Sequence, residues 1–164
     1  MSDWVRKLAQ QAKQQRADHD RQAGVISARA PALWEQVVGV IRACLEDYNA
    51  AFQGDQEREV RWIQPSNHLL YVVRKYRPDP SPGSISFDVG QGRIEARVDR
   101  DNQLTRHFIL PEPEVLEAVD IAADESQNLF LEHAGRRVSL DEASEILLRP
   151  LLFGEAGRAS AARG

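Results

Sequence analysis

The sequence predicts an α+β fold. An antiparallel β-meander of about six or seven strands, curved or rolled into a partly open barrel, is packed by an amphipathic helix before it and a C-terminal helix after it. Three observations carry this expectation. Apolar residues recur at steps of three and four through residues 31–53; the period then falls to two through short runs separated by Pro, Gly and Asn; and the helical spacing returns over 139–152. Strands grouped between flanking helices, rather than alternating with them, exclude a doubly wound parallel sheet.

Residues 1–30 are Gln-rich and net positive, with apolar side chains only near the ends: Trp4, Val5 and Leu8, then Val25 and Ile26. Alanine and straight-chain residues favour helix locally, but the middle has no continuous apolar stripe, which predicts a solvated or partly ordered helix rather than a coiled coil. Ala30-Pro31 predicts a break, because the residue before proline avoids helical angles and proline suits a first turn. In "PALWEQVVGVIRACLEDYNAAF", Trp34, Val38, Ile41, Leu45, Tyr48 and Phe52 form one face, widened by Leu33, Val37 and Cys44. Asn49 and Gly54 suit its fraying end.

"REVRWIQP" and "HLLYVVRKY" flank Pro65-Ser66-Asn67 and are rich in β-branched and aromatic residues, which predicts a hairpin. "RPDPSPG" follows as a rigid loop. In "SISFDVGQGRIEARV", Ile85, Phe87 and Val89 alternate with polar residues, as do Ile94, Ala96 and Val98 after the glycines. A dinucleotide-binding loop needs a third glycine and a helix behind it; here a strand follows, so Gly90-Gln91-Gly92 reads as the bend of a hairpin. "DRDNQ" reads as a turn, not a calcium loop, since position twelve is Leu110 instead of glutamate. "LTRHFIL" reads as a strand stopped by Pro111 and Pro113, and "EVLEAVDIA" is ambiguous between a short helix and a strand, with strand favoured near its end because Val119, Ile121 and Ala123 alternate. "LFLEH" follows a polar turn and precedes the bend at Ala134-Gly135-Arg136. In "VSLDEASEILLRPLLF", Ser139 and Glu142 have capping-box spacing, and Leu140, Ala143, Leu147 and Leu151 form a stripe. Pro150 predicts a kink or early end, and 154–164 a mobile tail. The expected organisation is therefore a helical N-terminal segment over 1–30, one domain over 31–153 and the tail.

Composition narrows the function classes. A formal charge of -4 and a pI near 5.6 predict no nucleic-acid partner held by a basic face. The one cysteine, Cys44, cannot form an intrachain disulfide or a cysteine zinc site, and suits a reducing compartment. The charged start and short apolar runs predict a cytoplasmic chain with no membrane span. Eighteen arginines against three lysines suit a GC-rich bacterial source.

No nucleophile elbow, P-loop, H-E-x-x-H or spaced Cys/His set occurs, so the sequence predicts no catalytic residue, metal or cofactor. His19, His68, His107 and His133 are scattered. Arg106 shares strand parity with Leu104, Phe108 and Leu110: it either points inward toward a carboxylate or a bound anion, or lies at the sheet rim with its head in water. Arg106, His107, Trp62 and Arg74 are accordingly the candidate ligand-binding residues. Ten acids between Glu112 and Glu145, against a basic middle of "VRKYRP" and the strand arginines, could orient a partner.

The progression from "APALWEQVVGVIRACLEDYN" through several strands to "SLDEASEILLRPLL" resembles small bacterial proteins of unknown function, a resemblance that implies no activity and no site residues. By element count, a meander followed by a C-terminal helix also resembles the pleckstrin-homology-like superfold, which implies a fold alone. The sequence is read as a non-catalytic protein-binding or adaptor module, with a homodimer among the possible assemblies. The alternatives are a small-ligand or anion-binding protein with a pocket between sheet and helices, and a secretion-chaperone-like dimer.

Overall fold

A computed structural model describes residues 2–76, 83–98 and 114–163, the side chains of 155–163 excepted. Two helices flank a seven-stranded antiparallel sheet: α1 (Asp3–Ala51), β1 (Val60–Ser66), β2 (Leu69–Arg74), β3 (Gly83–Asp88), β4 (Arg93–Val98), β5 (Glu114–Ala123), β6 (Leu129–His133), β7 (Arg136–Val138) and α2 (Leu140–Arg163). The strands lie in chain order, with β1 and β7 at the edges, so the sheet of described residues is open and not a closed barrel. No helix among the described residues is long and apolar enough to cross a membrane.

Where the sequence predicts a break at Ala30-Pro31, the structure has none: α1 is one 49-residue helix with Pro31 inside it. Proline removes the amide that would bond the carbonyl of Ser27, a cost of about 3 kcal/mol. Packing on both sides of the proline offsets it. Ala30, Val37, Ile41 and Leu45 are fully buried and Trp34 nearly so, and each large side chain contributes about 1.5–3 kcal/mol on burial. Tertiary packing overrides the local signal.

The end of α1 also differs from the expected fraying. The Asn49 side chain donates to the Val60 carbonyl at 2.7 Å and accepts from the Val60 amide at 2.9 Å, pinning helix to first strand as a neighbouring strand would. Gly54, at φ +85°, reverses the chain, and its amide donates to Glu59 Oε1 at 2.7 Å.

Both expected hairpins form. In β1–β2, Trp62 lies opposite Val72, and Val60 opposite Arg74. In β3–β4, Ile85 lies opposite Ala96 and Phe87 opposite Ile94, which puts both apolar sets on one face. Gly92 answers the glycine question: it sits at φ +60°, and a Cβ there would come within 3.0 Å of Ile26 and 3.2 Å of the Ile121 carbonyl. It is a bend under a crossing helix. The ambiguous "EVLEAVDIA" is strand throughout, within β5.

Buried Val60, Leu70, Val72, Ile85, Phe87, Ile94, Ala96, Val119, Ile121, Leu131 and Val138 make one face of the sheet, covered by both helices. On the other face Glu95 lies between Arg93 and Arg97, at 3.4 and 2.7 Å, so two of the expected basic-middle arginines pair along their own strand. α2 starts as its capping spacing predicts, with the Glu142 amide donating to Ser139 Oγ at 3.1 Å. Pro150 does not end it; the backbone is helical to Arg163. Its buried face is wider than the expected stripe, adding Ser144, Leu148 and Leu152. Gly83 admits this helix: a Cβ there would lie 2.7 Å from Leu151 Cδ2. The loop at 77–82, the turn at 99–103 and the expected strand 104–110 with its proline stop lie outside the described residues.

Candidate functional site

Of the four sequence-predicted site residues, Trp62 and Arg74 are described. Arg106 and His107 lie outside the described residues. Trp62 is half-buried on the core face, packed against the hydrophobic core. Arg74 is committed to structure: its guanidinium donates to Tyr48 Oη at 3.0 Å, to the Arg58 carbonyl at 3.0 Å and to the Leu152 carbonyl at 3.2 Å. Three separate segments are tied through it: α1, the loop before β1, and α2. Such charge-assisted bonds stabilise the junction and occupy three of the five guanidinium N–H groups.

That junction forms the floor of a different concavity. Where the last turns of α1 meet α2, a groove of about 420 Å³ opens, lined by Cys44, Tyr48, Ala51, Phe52, Leu148, Leu152 and Phe153 and rimmed by Asp47, Asp141, Glu145 and Arg149. Tyr48 contacts Phe52 (ring centroids 4.8 Å apart) and meets Phe153 edge-on at 5.6 Å. The Arg74 bond satisfies the Tyr48 hydroxyl at the buried end, so the groove presents ring carbon. Phe153 remains 44% exposed. On the rim Glu145 pairs with Arg149, while burial pushes the pKa of the Cys44 thiol up, with Asp141 and then Asp47 adding to it. A thiol held protonated is a weak nucleophile and metal ligand. The groove's chemistry is apolar contact, edged by three acids and the arginine that pairs with one of them.

Two other clefts are more polar. One of about 540 Å³ beside α2 is lined by Glu117, Arg136, Glu142, Glu145 and Arg149. Its charges pair among themselves: Arg136 with Glu142 at 3.5 Å, Arg149 with Glu145, and Glu117 with the nearby His133 at 3.0 Å. One of about 400 Å³ lies between α1 and the β1–β2 turn. There Trp34 stacks on Phe87 at 5.4 Å and its Nε1 donates to the Asn67 carbonyl at 2.5 Å, while Arg42 donates to Gln64. His68 lies 6.1 Å from Phe87, and His19 is exposed on α1, so neither joins His133. No group of three or more His, Cys, Asp or Glu among the described residues could hold a metal ion.

Sequence reasoning placed Tyr48 and Phe52 on the apolar face of α1 but missed the groove, because its third aromatic, Phe153, stands two residues beyond the expected α2 stripe. The available signal was that off-stripe aromatic after Pro150. The molecule is thus an open antiparallel meander under two helices, with an apolar groove where the helices meet. Comparison with family models, with curated proteins and with solved structures returned no match.

Proposed function

We propose that the protein is a non-catalytic protein-binding module that uses the α1–α2 groove to take the apolar face of a helix with basic flanks. The observation that carries this is the exposed Phe153 in an otherwise apolar, aromatic-lined groove with carboxylates on its rim. Aromatic anchors in a desolvated centre dominate binding energy, and rim charges steer a partner of opposite sign. An apolar groove that takes the anchor side chains of one helix face is the arrangement helix-in-groove recognition uses. In this reading the module works in a bacterial cytoplasm, as the lone cysteine and arginine-rich composition suggest, with residues 31–153 as the binding domain, 1–30 as an appended segment and 154–164 as a tail.

A fluorescent 14-residue amphipathic peptide of Leu and Lys tests it by anisotropy. Saturable binding that weakens about tenfold or more in Phe153→Glu, as loss of a hot-spot residue implies, is the expected result. Absence of binding, or binding indifferent to Phe153→Glu, contradicts it. The anion-binding alternative rests on Arg106 and His107, which lie outside the described residues, together with Trp62 and Arg74.

A further inference from the structure

The two ends of the α1–α2 groove carry different charge. Both helices run along it in the same sense: Cys44 and Asp141 share one end, while Tyr48 and Phe52 meet Phe153 toward the other, with ring centroids 5.6 and 6.5 Å apart. The stretch from Cys44 to Phe52 spans about 12 Å, roughly two turns of a helix laid beside it. At the Cys44 end stand Asp47 on α1 and Asp141 on α2, both exposed, and neither is in an ion pair among the described residues. Burial first, then Asp141 and Asp47, push the Cys44 thiol up, so both carboxylates lie within electrostatic reach of that one side chain. Glu142, the other acid of the turn, is paired with Arg136 at 3.5 Å. Further along, Glu145 and Arg149 pair across one helical turn and cancel. At the far end the Arg58 guanidinium lies over the Phe52 ring, its carbon 5.7 Å from the centroid, and the Asp55 carboxylate accepts the Glu57 amide at 2.9 Å.

The amino terminus of α2 opposes the two acids with about half a positive charge, and two whole charges outweigh it. A helix feels this difference because its anchors and its charges sit on one rigid rod. An apolar face seated on Tyr48, Phe52 and Phe153 fixes where each end of the rod falls. Basic residues at one end then meet Asp47 and Asp141, whereas at the other end they meet Arg58. Opposite charges brought together fix register, and like charges brought together select against the reversed one.

We propose that the groove takes its partner in one polarity: a helix whose basic residues are gathered at one end, that end lying over Asp47 and Asp141 and the uncharged end over Phe52 and Phe153. The proposal rests on the groove being a helix-binding site. The partner's two flanks are therefore unequal, and the stronger attraction is at the end that Cys44 marks.

The test uses the full chain, because Cys44 is its only cysteine and reports which end of a peptide lies beside it. Two 14-residue peptides serve, each with Leu along one face, Lys confined to one half and Gln in the other; one carries a cysteine at its Lys end, the other at its Gln end. Each is equilibrated with the chain in a glutathione redox buffer at mildly alkaline pH. The yield of mixed disulfide is divided by the yield with the chain unfolded in urea, which cancels the intrinsic reactivity of each thiol. The Lys-end cysteine should link to Cys44 about fivefold more than the Gln-end cysteine, the factor that exposed ion pairs supply. Asp47→Lys, a change at an exposed site, should abolish the preference. Equal linkage from both ends, a preference for the Gln end, or a preference that survives Asp47→Lys overturns the proposal. If the Leu/Lys peptide still binds in a Phe153-dependent way, the groove reading survives that failure; if it does not, both fall.

Discussion

The two halves of α1 are one continuous helix held by different physics. From Ile26 to Ala51 the helix is fixed by burial: Trp34, Val37, Val38, Ile41, Leu45 and Tyr48 sit in the core, and the Asn49 clamp ties its end to β1. From Asp3 to Gly24 it has helix-favouring Ala, Gln, Lys and Arg, with pairs at i,i+3 and i,i+4 worth a few tenths of a kcal/mol. Isolated helices of that length are marginal in water. The lesson is that the packed half supplies the nucleus from which the arm propagates.

The contrast breaks most visibly under substitution. Leu45→Ala, in the fully buried half, should destabilise the protein by about 2–5 kcal/mol in chemical denaturation, since a cavity adds to lost transfer energy. Ala12→Gly, in the arm, should lower helicity by circular dichroism through a local cost of about 1 kcal/mol, while leaving the monomer's denaturation midpoint unchanged. A midpoint that moves equally in both variants would mean that the arm is part of the cooperative core.

A smaller effect sharpens the account of the α1 end. Glu59 is held below the usual carboxylate range chiefly by the Gly54 amide, with burial opposing and Lys75 assisting. A carboxylate with a depressed folded pKa adds stability above its unfolded value, and that stability is lost as pH falls through the folded pKa. Glu59→Gln should therefore lower Tm modestly near pH 7, and the gap to wild type should close as both are titrated below about pH 4, the ordinary glutamate range. A gap that persists in acid would assign the role of Glu59 to shape instead of charge.

Much of the architecture was legible because its signals were local. Ile85, Phe87, Ile94 and Ala96 alternate strictly, and the pair was correctly read as a hairpin across Gly90-Gln91-Gly92; Ser139 and Glu142 marked the start of α2. Pro31 was misread because a local rule cannot weigh the burial of Ala30 and Trp34 on either side of it. Asn49 looked like a fraying signal because its partner, Val60, lies beyond a turn. The groove was illegible for the same reason: Tyr48 and Phe153 meet only after the whole sheet has formed between them. Trp62 and Arg74, chosen for residue type on neighbouring strands, were found in packing and in a three-way junction.

Hydrogen exchange of the full wild-type chain, recorded by mass spectrometry, tests the central claim most directly. The arm at residues 3–17 should exchange rapidly, whereas residues 30–48, whose inner face is buried, should be protected. Protection of the arm equal to that of residues 30–48 would contradict it.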